Sequence, residues 1–189
     1  MHIQGLEKQF FPEMIPSPRV SLKRHELSMA DAMFQHIDLD RNRLREFLPW
    51  VDYSRTVADT RAYIQLTHDK WSTHELFDFG IYQNLDGAYL GNIGIHQLSW
   101  AHRKCEIGYW ILGSFEGKGI VSEAVQALEK TIFELGFHRV EIRCSSKNTK
   151  SSNVPKRCGY ALEGVLHGDA IEQGQYRDTL VFAKLKDEN

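Results

Sequence analysis

Cysteine is scarce in this sequence, and its scarcity excludes two kinds of protein. The 189 residues include only Cys105, Cys144 and Cys158, an odd number with no C-x-x-C spacing. Disulfide-stabilised domains need dense, paired cysteines, and structural zinc sites need clustered ligands. The sequence therefore predicts neither a disulfide framework nor a metal site, and it favours a reducing, cytoplasmic location.

An excess of charge of one sign is also lacking, as are long apolar runs. The chain carries 23 basic and 25 acidic residues, a formal charge of −2, whereas duplex nucleic acid is bound by a basic surface. No window approaches the roughly 18 consecutive apolar residues of a transmembrane helix, and the N-terminal stretch has no basic start followed by an apolar run. We expect a protein that is neither secreted nor membrane-spanning and that does not bind nucleic acid directly.

Proline is rare, and three of the five prolines lie at positions 12, 16 and 18. Because proline lacks an N–H donor and has a fixed φ, these residues should break any regular element there. We interpret residues 1–18 as an N-terminal arm, docked through Phe10 and Phe11. Residues 19–189 form one domain in this interpretation, since the chain is long enough for one substantial core.

Beyond the arm, hydrophobic periodicity alternates between strand-like and helix-like stretches. Strand-like runs occur at 19–27, 77–82, 89–100, 105–112, 139–144, 161–169 and 179–185. Helical segments are predicted from Ser28, where Asp31 would complete a capping box, to about Thr67, with an interruption at Pro49. Further helices are predicted over 120–135 and 151–158. This order predicts an α/β fold with a central sheet of mixed strand direction, flanked by helices.

The segment 120–135 has the clearest helical pattern. Its apolar residues recur every three or four positions and form one stripe: Ile120, Val121, Ala124, Val125, Leu128, Ile132 and Leu135. The opposite side carries Glu123, Glu129, Lys130 and Glu134. Gly136 follows as the expected C-cap.

A glycine-containing loop, GSFEGKGIV (113–121), precedes this helix. A loop at a helix N-terminus directs unpaired N–H groups and the positive end of the helix dipole at one place, which suits a phosphate. Glycines let a ligand approach the backbone, so Gly117, Lys118 and Gly119 are predicted to surround a pyrophosphate. The alternative is a connection that binds nothing.

The spacing in the loop argues against two familiar phosphate sites. In a P-loop the lysine follows the last glycine and precedes Ser or Thr, whereas here it lies between the glycines, with Ile120 and Val121 after them. A dinucleotide fingerprint needs a third glycine where Ser122 stands, and its acidic residue at the end of the next strand, whereas Glu141 is mid-strand. Nucleoside triphosphatases and Rossmann-type oxidoreductases are therefore disfavoured.

Five segments, in order along residues 19–184, resemble the GNAT superfamily of acetyl-CoA-dependent N-acetyltransferases, and in particular the branch that acetylates the N-termini of ribosomal proteins. They are LREFLPW (44–50), EIGYWI (106–111), FEGKGI (115–120), NTKSSNVPKRCGY (148–160) and GQYRDTLVFAKL (174–185). One departure is Ser114, which replaces the first residue of the usual Q/R-x-x-G-x-G/A loop. The resemblance implies a single-domain GNAT fold.

The resemblance also implies acetyl-CoA as cosubstrate and a strand 105–112 that splays from its neighbour. The residues it assigns to cofactor binding are Trp110, Ile111, Leu112, Glu116, Gly117, Lys118, Gly119, Ile120, Val121, Ser122, Asn148 and Ser151. A basic patch of Lys147, Lys150, Lys156 and Arg157 is a candidate for the 3′-phosphate of CoA, or simply a solvated surface.

Acetyl transfer to an amine requires a base for the amine proton and an acid for the departing thiolate. Glu106 is the only carboxylate in EIGYWIL, and alternation places it on one face with Gly108, Trp110 and Leu112. On sequence alone it could be an edge residue in solvent. The resemblance implies that Glu106 is the general base, often acting through water.

Asn148 and Ser151 keep the family spacing N-x-x-S, which is also an ordinary helix-capping pattern. Many superfamily members have a tyrosine four residues later as the thiolate's acid, where this chain has Pro155. The ribosomal branch resembles this chain in using a serine, which implies this role for Ser151. Cys144 fits a structural thiol better than an acyl-cysteine nucleophile.

The sequence therefore predicts an enzyme that transfers acetyl directly to a primary amine. A protein N-terminal α-amine, ribosomal by resemblance, is the predicted acceptor. Polyamines or aminoglycosides are the alternative substrates, and a CoA-binding module without turnover is the alternative class. His96 and His102 could line the amine site or pack on the surface. The arm and the aromatic residues Trp50 and Trp71, which are expected to be exposed, would allow a homodimer.

Overall fold

A computed structural model describes residues 4–186 of the chain. Its strands are β1 (Met14–Pro16), β2 (Val20–Arg24), β3 (Phe77–Gln83), β4 (Tyr89–Ser99), β5 (Lys104–Ile111), β6 (Arg139–Ser145), β7 (Ala161–Glu172) and β8 (Gln175–Leu185). Its α-helices are α1 (Ala30–Leu39), α2 (Arg41–Leu44), α3 (Val57–Ser72), α4 (Ile120–Glu134) and α5 (Thr149–Arg157). From β2 onwards the predicted succession of elements is confirmed, although α3 extends past Thr67.

The eight strands form one sheet in the order β1-β2-β3-β4-β5-β6-β8-β7. Neighbouring strands are antiparallel except for β5 and β6, which are parallel. Parallel neighbours need a crossover connection, and here α4 makes it. The predicted α/β fold with a mixed sheet is confirmed.

The strands β5 and β6 pair over only three residues, from Lys104 opposite Arg139 to Glu106 opposite Glu141. On its other side β5 stays paired with β4 as far as Ile111 opposite Gly91. The two parallel strands therefore separate after Glu106. This is the splay that the family resemblance implies, and it leaves the β6-facing backbone of the second half of β5 without a strand partner.

Helices cover both faces of the sheet. One core contains the apolar stripe of α4 with Phe79, Ile93 and Ile107 of the central strands. A second core lies under α1 and α3 and includes Ile37, Ile64 and Leu112. Trp110 packs against this second core, so the face of β5 that carries Glu106 and Trp110 is on the side of the second core.

The N-terminal segment departs from its predicted irregularity. Residues 14–16 form β1, which pairs with β2, so the prediction that the prolines break any regular element there is wrong. Pro16 is tolerated because it is at the edge of the sheet. Phe11 is buried in the first core, whereas Phe10 is exposed and stacks on His74 with ring centroids 4.2 Å apart.

The boundary predicted between an arm (1–18) and a domain (19–189) remains a prediction. β1 and β2, on either side of it, lie in the same sheet. Residues 1–3 of the arm and 187–189 of the domain are outside the described residues.

Two local predictions about helices are wrong. The helix α1 begins at Ala30 without a side-chain cap, and the hydroxyl of Ser28 donates to Glu26 instead, so Ser28 and Asp31 form no capping box. Glu129 does not lie on an exposed side of α4. It is buried, because Lys184 of β8 reaches it with a Nζ–Oε1 distance of 2.6 Å. Gly136, with a φ of +96°, ends the helix as predicted.

Candidate active site

The glycine loop turns sharply into α4. Gly117 and Gly119 have φ values of +71° and +75°, in the left-handed region that glycine occupies without strain. A Cβ on Gly117 would meet no atom within 4 Å, and one on Gly119 would meet only Nη2 of Arg19, at 3.5 Å. The space above the loop is therefore open, and the first N–H groups of α4 face it unpaired within the helix.

This loop forms one wall of a cleft of about 610 Å³ that extends along the second half of β5. Ten of the residues predicted to bind cofactor line the cleft: Trp110, Ile111, Glu116, Gly117, Gly119, Ile120, Val121, Ser122, Asn148 and Ser151. Leu112 does not line it, and its N–H donates to the carbonyl of Leu90 at 2.8 Å. Lys118 does not line it either, and its ammonium lies over the ring of Phe115.

The opposite wall is the start of α5. The side chain of Asn148 caps this helix by accepting from the N–H of Ser151 at 3.0 Å. The hydroxyl of Ser151 donates to Oη of Tyr109 at 3.4 Å, and Tyr109 donates to the carbonyl of Ser151 at 3.0 Å. Burial raises the pKa of Tyr109 above its ordinary value, so the phenol is protonated at neutral pH.

Sequence reasoning did not single out Tyr109. It lies three residues after Glu106 on a strand, so its side chain is on the opposite face, towards α5. The alternation of side chains along the strand was the sequence signal that could have placed Tyr109 on this face. It could not indicate which residue the phenol would reach, because Ser151 is 42 residues away in sequence.

Glu106 lies where β5 and β6 separate, on the face opposite Tyr109. Its side chain is 16% exposed, and Nε of Arg143 is 3.4 Å from Oε2. Burial raises the pKa of Glu106 above its ordinary value, against the opposing effect of Arg143, and the nearby Glu141 raises it further. The structure therefore does not bring Glu106 and Ser151 together on one face.

His96 lies beside Glu106. The two residues are directly opposite each other on β4 and β5, and Nε2 of His96 is 3.9 Å from Oε1 of Glu106. The imidazole also lies over Gly108, since a Cβ on Gly108 would lie 2.8 Å from Nε2. His102, the other histidine considered, is exposed in the turn after β4.

Arg43 is a second residue that sequence reasoning missed. From α2 it donates to Oε1 of Glu116 at 2.7 Å and to the carbonyl of Ile111 at 2.6 Å. Glu116 in turn accepts from Nζ of Lys150 on α5 at 2.5 Å. Of the predicted basic patch, Lys150 and Arg157 line the cleft. Charged residues thus connect the two sides of the cleft through the glycine loop.

Other candidate chemistry receives less support. Cys144 is half-buried, and burial raises the pKa of its thiol above the ordinary value, which disfavours a thiolate. Within residues 4–186 there is no group of three or more histidine, cysteine or acidic side chains placed to hold a metal ion. Over the same range no helix is long and apolar enough to cross a membrane.

The strand that leaves its parallel neighbour, next to a glycine turn that opens a helix, forms a cleft suited to a long phosphorylated molecule lying along the strand. The family model for the GNAT acetyltransferase domain matches residues 19–161. The chain belongs to the GNAT family, and it is an N-acetyltransferase that uses acetyl-CoA. The open loop, the unpaired edge of β5 and the cleft between them fit this cosubstrate.

Similar proteins include members of the ribosomal branch. The chain is 31% identical to YdaF of Bacillus subtilis strain 168, over 89% of this chain and 92% of that protein. It is 28% identical to the ribosomal-protein-serine acetyltransferase of Escherichia coli K12, over 82% and 86% of the two chains. A weaker likeness, 23% identity over 63% of this chain, links it to the spermidine N(1)-acetyltransferase of the same organism.

The structure of RimL, a ribosomal L7/L12 alpha-N-protein acetyltransferase in complex with coenzyme A, superposes with a TM-score of 0.88. The match is 26% identical in sequence and covers 94% of this chain and all of that one. Together with the E. coli relative, it supports the predicted branch, the N-terminal acetyltransferases of ribosomal proteins.

Proposed function

We propose that this enzyme transfers the acetyl group of acetyl-CoA directly to the N-terminal α-amine of a protein, and that the acceptor is a ribosomal protein. The observation that carries the proposal is the position of Glu106, a carboxylate of raised pKa at the point where β5 and β6 separate. The names of the E. coli relative and of RimL support the acceptor class.

We assign cosubstrate binding to the cleft. The backbone N–H groups around Gly117, Lys118 and Gly119 and at the start of α4 (Ile120, Val121 and Ser122) bind the pyrophosphate. The end of β5 at Trp110 and Ile111, which has no strand partner on the β6 side, binds the pantetheine arm, whereas Leu112 is bonded to Leu90 and does not line the cleft. Glu116 and Asn148 hold the two walls, and Lys150 and Arg157, which line the cleft, bind the 3′-phosphate.

The catalytic roles follow from the two faces of β5. Glu106 accepts a proton from the acceptor ammonium, directly or through one water, and the neutral nitrogen forms a bond to the acetyl carbon. The carbon–sulfur bond then breaks, and the hydroxyl of Ser151 gives its proton to the thiolate. The second proton lost by the acetylated nitrogen passes through solvent and restores the serine hydroxyl. Tyr109 positions Ser151, with 3.4 Å between the two hydroxyl oxygens.

An α-amine suits this arrangement better than a lysine. Its pKa of about 7.7 to 8.0 leaves a substantial neutral fraction at neutral pH, whereas a lysine of pKa about 10.4 is neutral less than about 0.3% of the time. A carboxylate base, even one of raised pKa, therefore removes a proton from an α-ammonium more readily than from a lysine ammonium. Small polyamines are the second candidate, favoured by the likeness to the spermidine enzyme.

A competition between amines tests the proposal. The purified enzyme is offered acetyl-CoA with a peptide that begins with serine, the same peptide with a blocked N-terminus and an internal lysine, or spermidine, at pH 7.5. We expect the free serine N-terminus to be acetylated fastest, as measured by mass spectrometry. Faster acetylation of lysine or spermidine would contradict the acceptor assignment, and CoA binding without turnover on any amine would favour a binding module.

Two further expectations remain proposals. The cysteine usage favours the cytoplasm, and the three thiols are free in the structure. Trp71, which was expected to be exposed, is buried in the first core and is not available to a homodimer. A homodimer can be tested by sedimentation of the purified protein.

A further inference from the structure

Two glycines on the α1/α3 face of the sheet admit polar side chains close to the backbone. A Cβ on Gly94 would lie 2.5 Å from Oδ1 of Asp78, and one on Gly108 would lie 2.8 Å from Nε2 of His96. Both positions face each other across β4 and β5. The imidazole of His96 therefore leans over Gly108, next to the carboxylate of Glu106.

The separation between His96 and Glu106 suits a shared ligand. Nε2 and Oε1 are 3.9 Å apart, which is too long for a direct hydrogen bond. It is shorter than two hydrogen bonds of about 2.9 Å, so one donor atom can bond to both groups. The side chains are 37% and 16% exposed, so a ligand can reach the pair from solvent.

The protonation states of the pair favour a cationic donor. Burial lowers the pKa of His96 below its ordinary value, so the imidazole is neutral at pH 7 and one of its nitrogens is an acceptor. Glu106, despite its raised pKa, is a carboxyl group beside Arg143. The neutral imidazole of His96 and the carboxyl group of Glu106, at this spacing, can accept two hydrogen bonds from the N–H groups of one ammonium.

We propose that His96 is a second acceptor-binding residue, which together with Glu106 clamps the ammonium group of the incoming amine. This inference rests on the proposed acetyltransfer to a primary amine. One N–H of the ammonium donates to Nε2 of His96, and another donates to Oε1 of Glu106. The proton transferred to Glu106 leaves a neutral amine that His96 still holds. A rotation about the amine C–N bond then turns its lone pair from Glu106 to the acetyl carbon.

Other charged groups near the clamp set its pH range. Asp78 on β3 raises the pKa of His96 and Arg143 on β6 lowers it, while Glu141 on β6 raises that of Glu106. Asp78 is itself bonded to His25 and Tyr63. Protonation of either clamp residue at low pH removes an acceptor. A protonated His96 would repel the ammonium, and a protonated Glu106 could not deprotonate it. Binding of the amine should therefore require both groups to be unprotonated.

His96→Ala tests the clamp, with the exposed His102→Ala as the matched control. The amine is whichever of the three probes the wild-type enzyme acetylates fastest. Below its own pKa that amine stays an ammonium, so the slope of log kcat/KM against pH reports the enzyme. We expect a limiting acid slope of two in the wild type and one in His96→Ala. We also expect calorimetric affinity for the amine, measured with CoA present, to fall about tenfold or more.

A second variant displaces the imidazole of His96 without removing it. Gly108→Ala places a methyl group against Nε2 and should displace the ring, so it should weaken amine binding as His96→Ala does. Because both changes act through one side chain, adding Gly108→Ala to His96→Ala should cost little more. CoA affinity should stay at the wild-type value in all these variants.

The possible outcomes separate the two proposals. Wild-type amine affinity together with an acid slope of two in His96→Ala would overturn the clamp while leaving the acetyltransferase assignment intact. Additive losses from His96→Ala and Gly108→Ala would also overturn it. A wild-type enzyme that acetylates none of the three amines would overturn the acceptor proposal and the clamp together.

Discussion

Arg43 of α2 is bonded to Glu116 of the glycine loop, since Nη1 of Arg43 donates to Oε1 of Glu116 at 2.7 Å. The same guanidinium bonds to the carbonyl of Ile111. We predict that Arg43→Met lowers kcat/KM for acetyl-CoA about tenfold or more, because a charge-assisted pair that holds the loop is lost. Arg45→Met is the control, since Arg45 is more exposed and pairs with the exposed Asp52, and it should change kcat/KM little. Equal effects of the two variants would count against a role for Arg43 in holding the loop.

The glycine loop can be blocked without straining it. Asparagine tolerates the left-handed backbone, and the Cβ of Gly117→Asn would meet no protein atom within 4 Å. We predict that this variant keeps the wild-type melting temperature but loses at least about tenfold in CoA affinity, measured by calorimetry, because the side chain fills the phosphate space. Gly87→Asn, at a φ of +74° with equally open surroundings, is the matched control and should bind CoA normally. Unchanged affinity in Gly117→Asn would remove the loop from the cosubstrate site.

The raised pKa of Glu106 makes two predictions about Glu106→Gln. Turnover should fall roughly 10²-fold or more near neutral pH with CoA affinity preserved, because the base is lost. The folded protein holds the Glu106 proton more tightly than the unfolded chain does, so the ionised carboxylate costs stability above the ordinary glutamate pKa of about 4.3. Thermal denaturation at pH 7.5 should therefore show a melting temperature equal to or above that of the wild type. Wild-type turnover across the pH range, where chemistry limits the rate, would exclude Glu106 as the base.

Ser151 and Tyr109 are predicted to act as a unit. Ser151→Ala should slow the chemical step, because the thiolate loses its acid, and Tyr109→Phe should slow it less, because it only removes the partner of the hydroxyl. In single-turnover assays the double variant should be no slower than Ser151→Ala alone. Strictly additive losses would show that the two hydroxyls act independently.

The ion pair between the buried Glu129 and the partly exposed Lys184 is predicted to matter for stability and not for catalysis. Lys184→Met leaves the Glu129 carboxylate buried without its cation, which should cost about 3 kcal/mol of unfolding free energy, measured by urea denaturation. Replacing both residues, by Lys184→Met with Glu129→Leu, should restore much of the loss. Lys130→Met is the control, because Lys130 and Glu134 form an exposed pair 3.9 Å apart on the same helix. A cost for Lys184→Met as small as that of the control would contradict the prediction.

Local chemistry in the sequence was sufficient for much of the fold. The apolar stripe of α4 and the glycine at its end are short-range patterns, and the helix follows them from Ile120 to Glu134. The strands from β3 to β6 follow from their own periodicity. The glycines of the loop are required by the backbone itself, since Gly117 and Gly119 both have positive φ.

Only the tertiary structure decided the features that depend on distant partners. The strand β1 forms because it pairs with the edge of β2, and this pairing outweighs the unfavourable effect of Pro16 on a strand. Glu129 is buried because a lysine 55 residues away neutralises it. The contact between Tyr109 and Ser151, and the imidazole of His96 over Gly108, likewise join residues from different elements. Periodicity assigns a side chain to a face, but long-range packing determines which group it meets there.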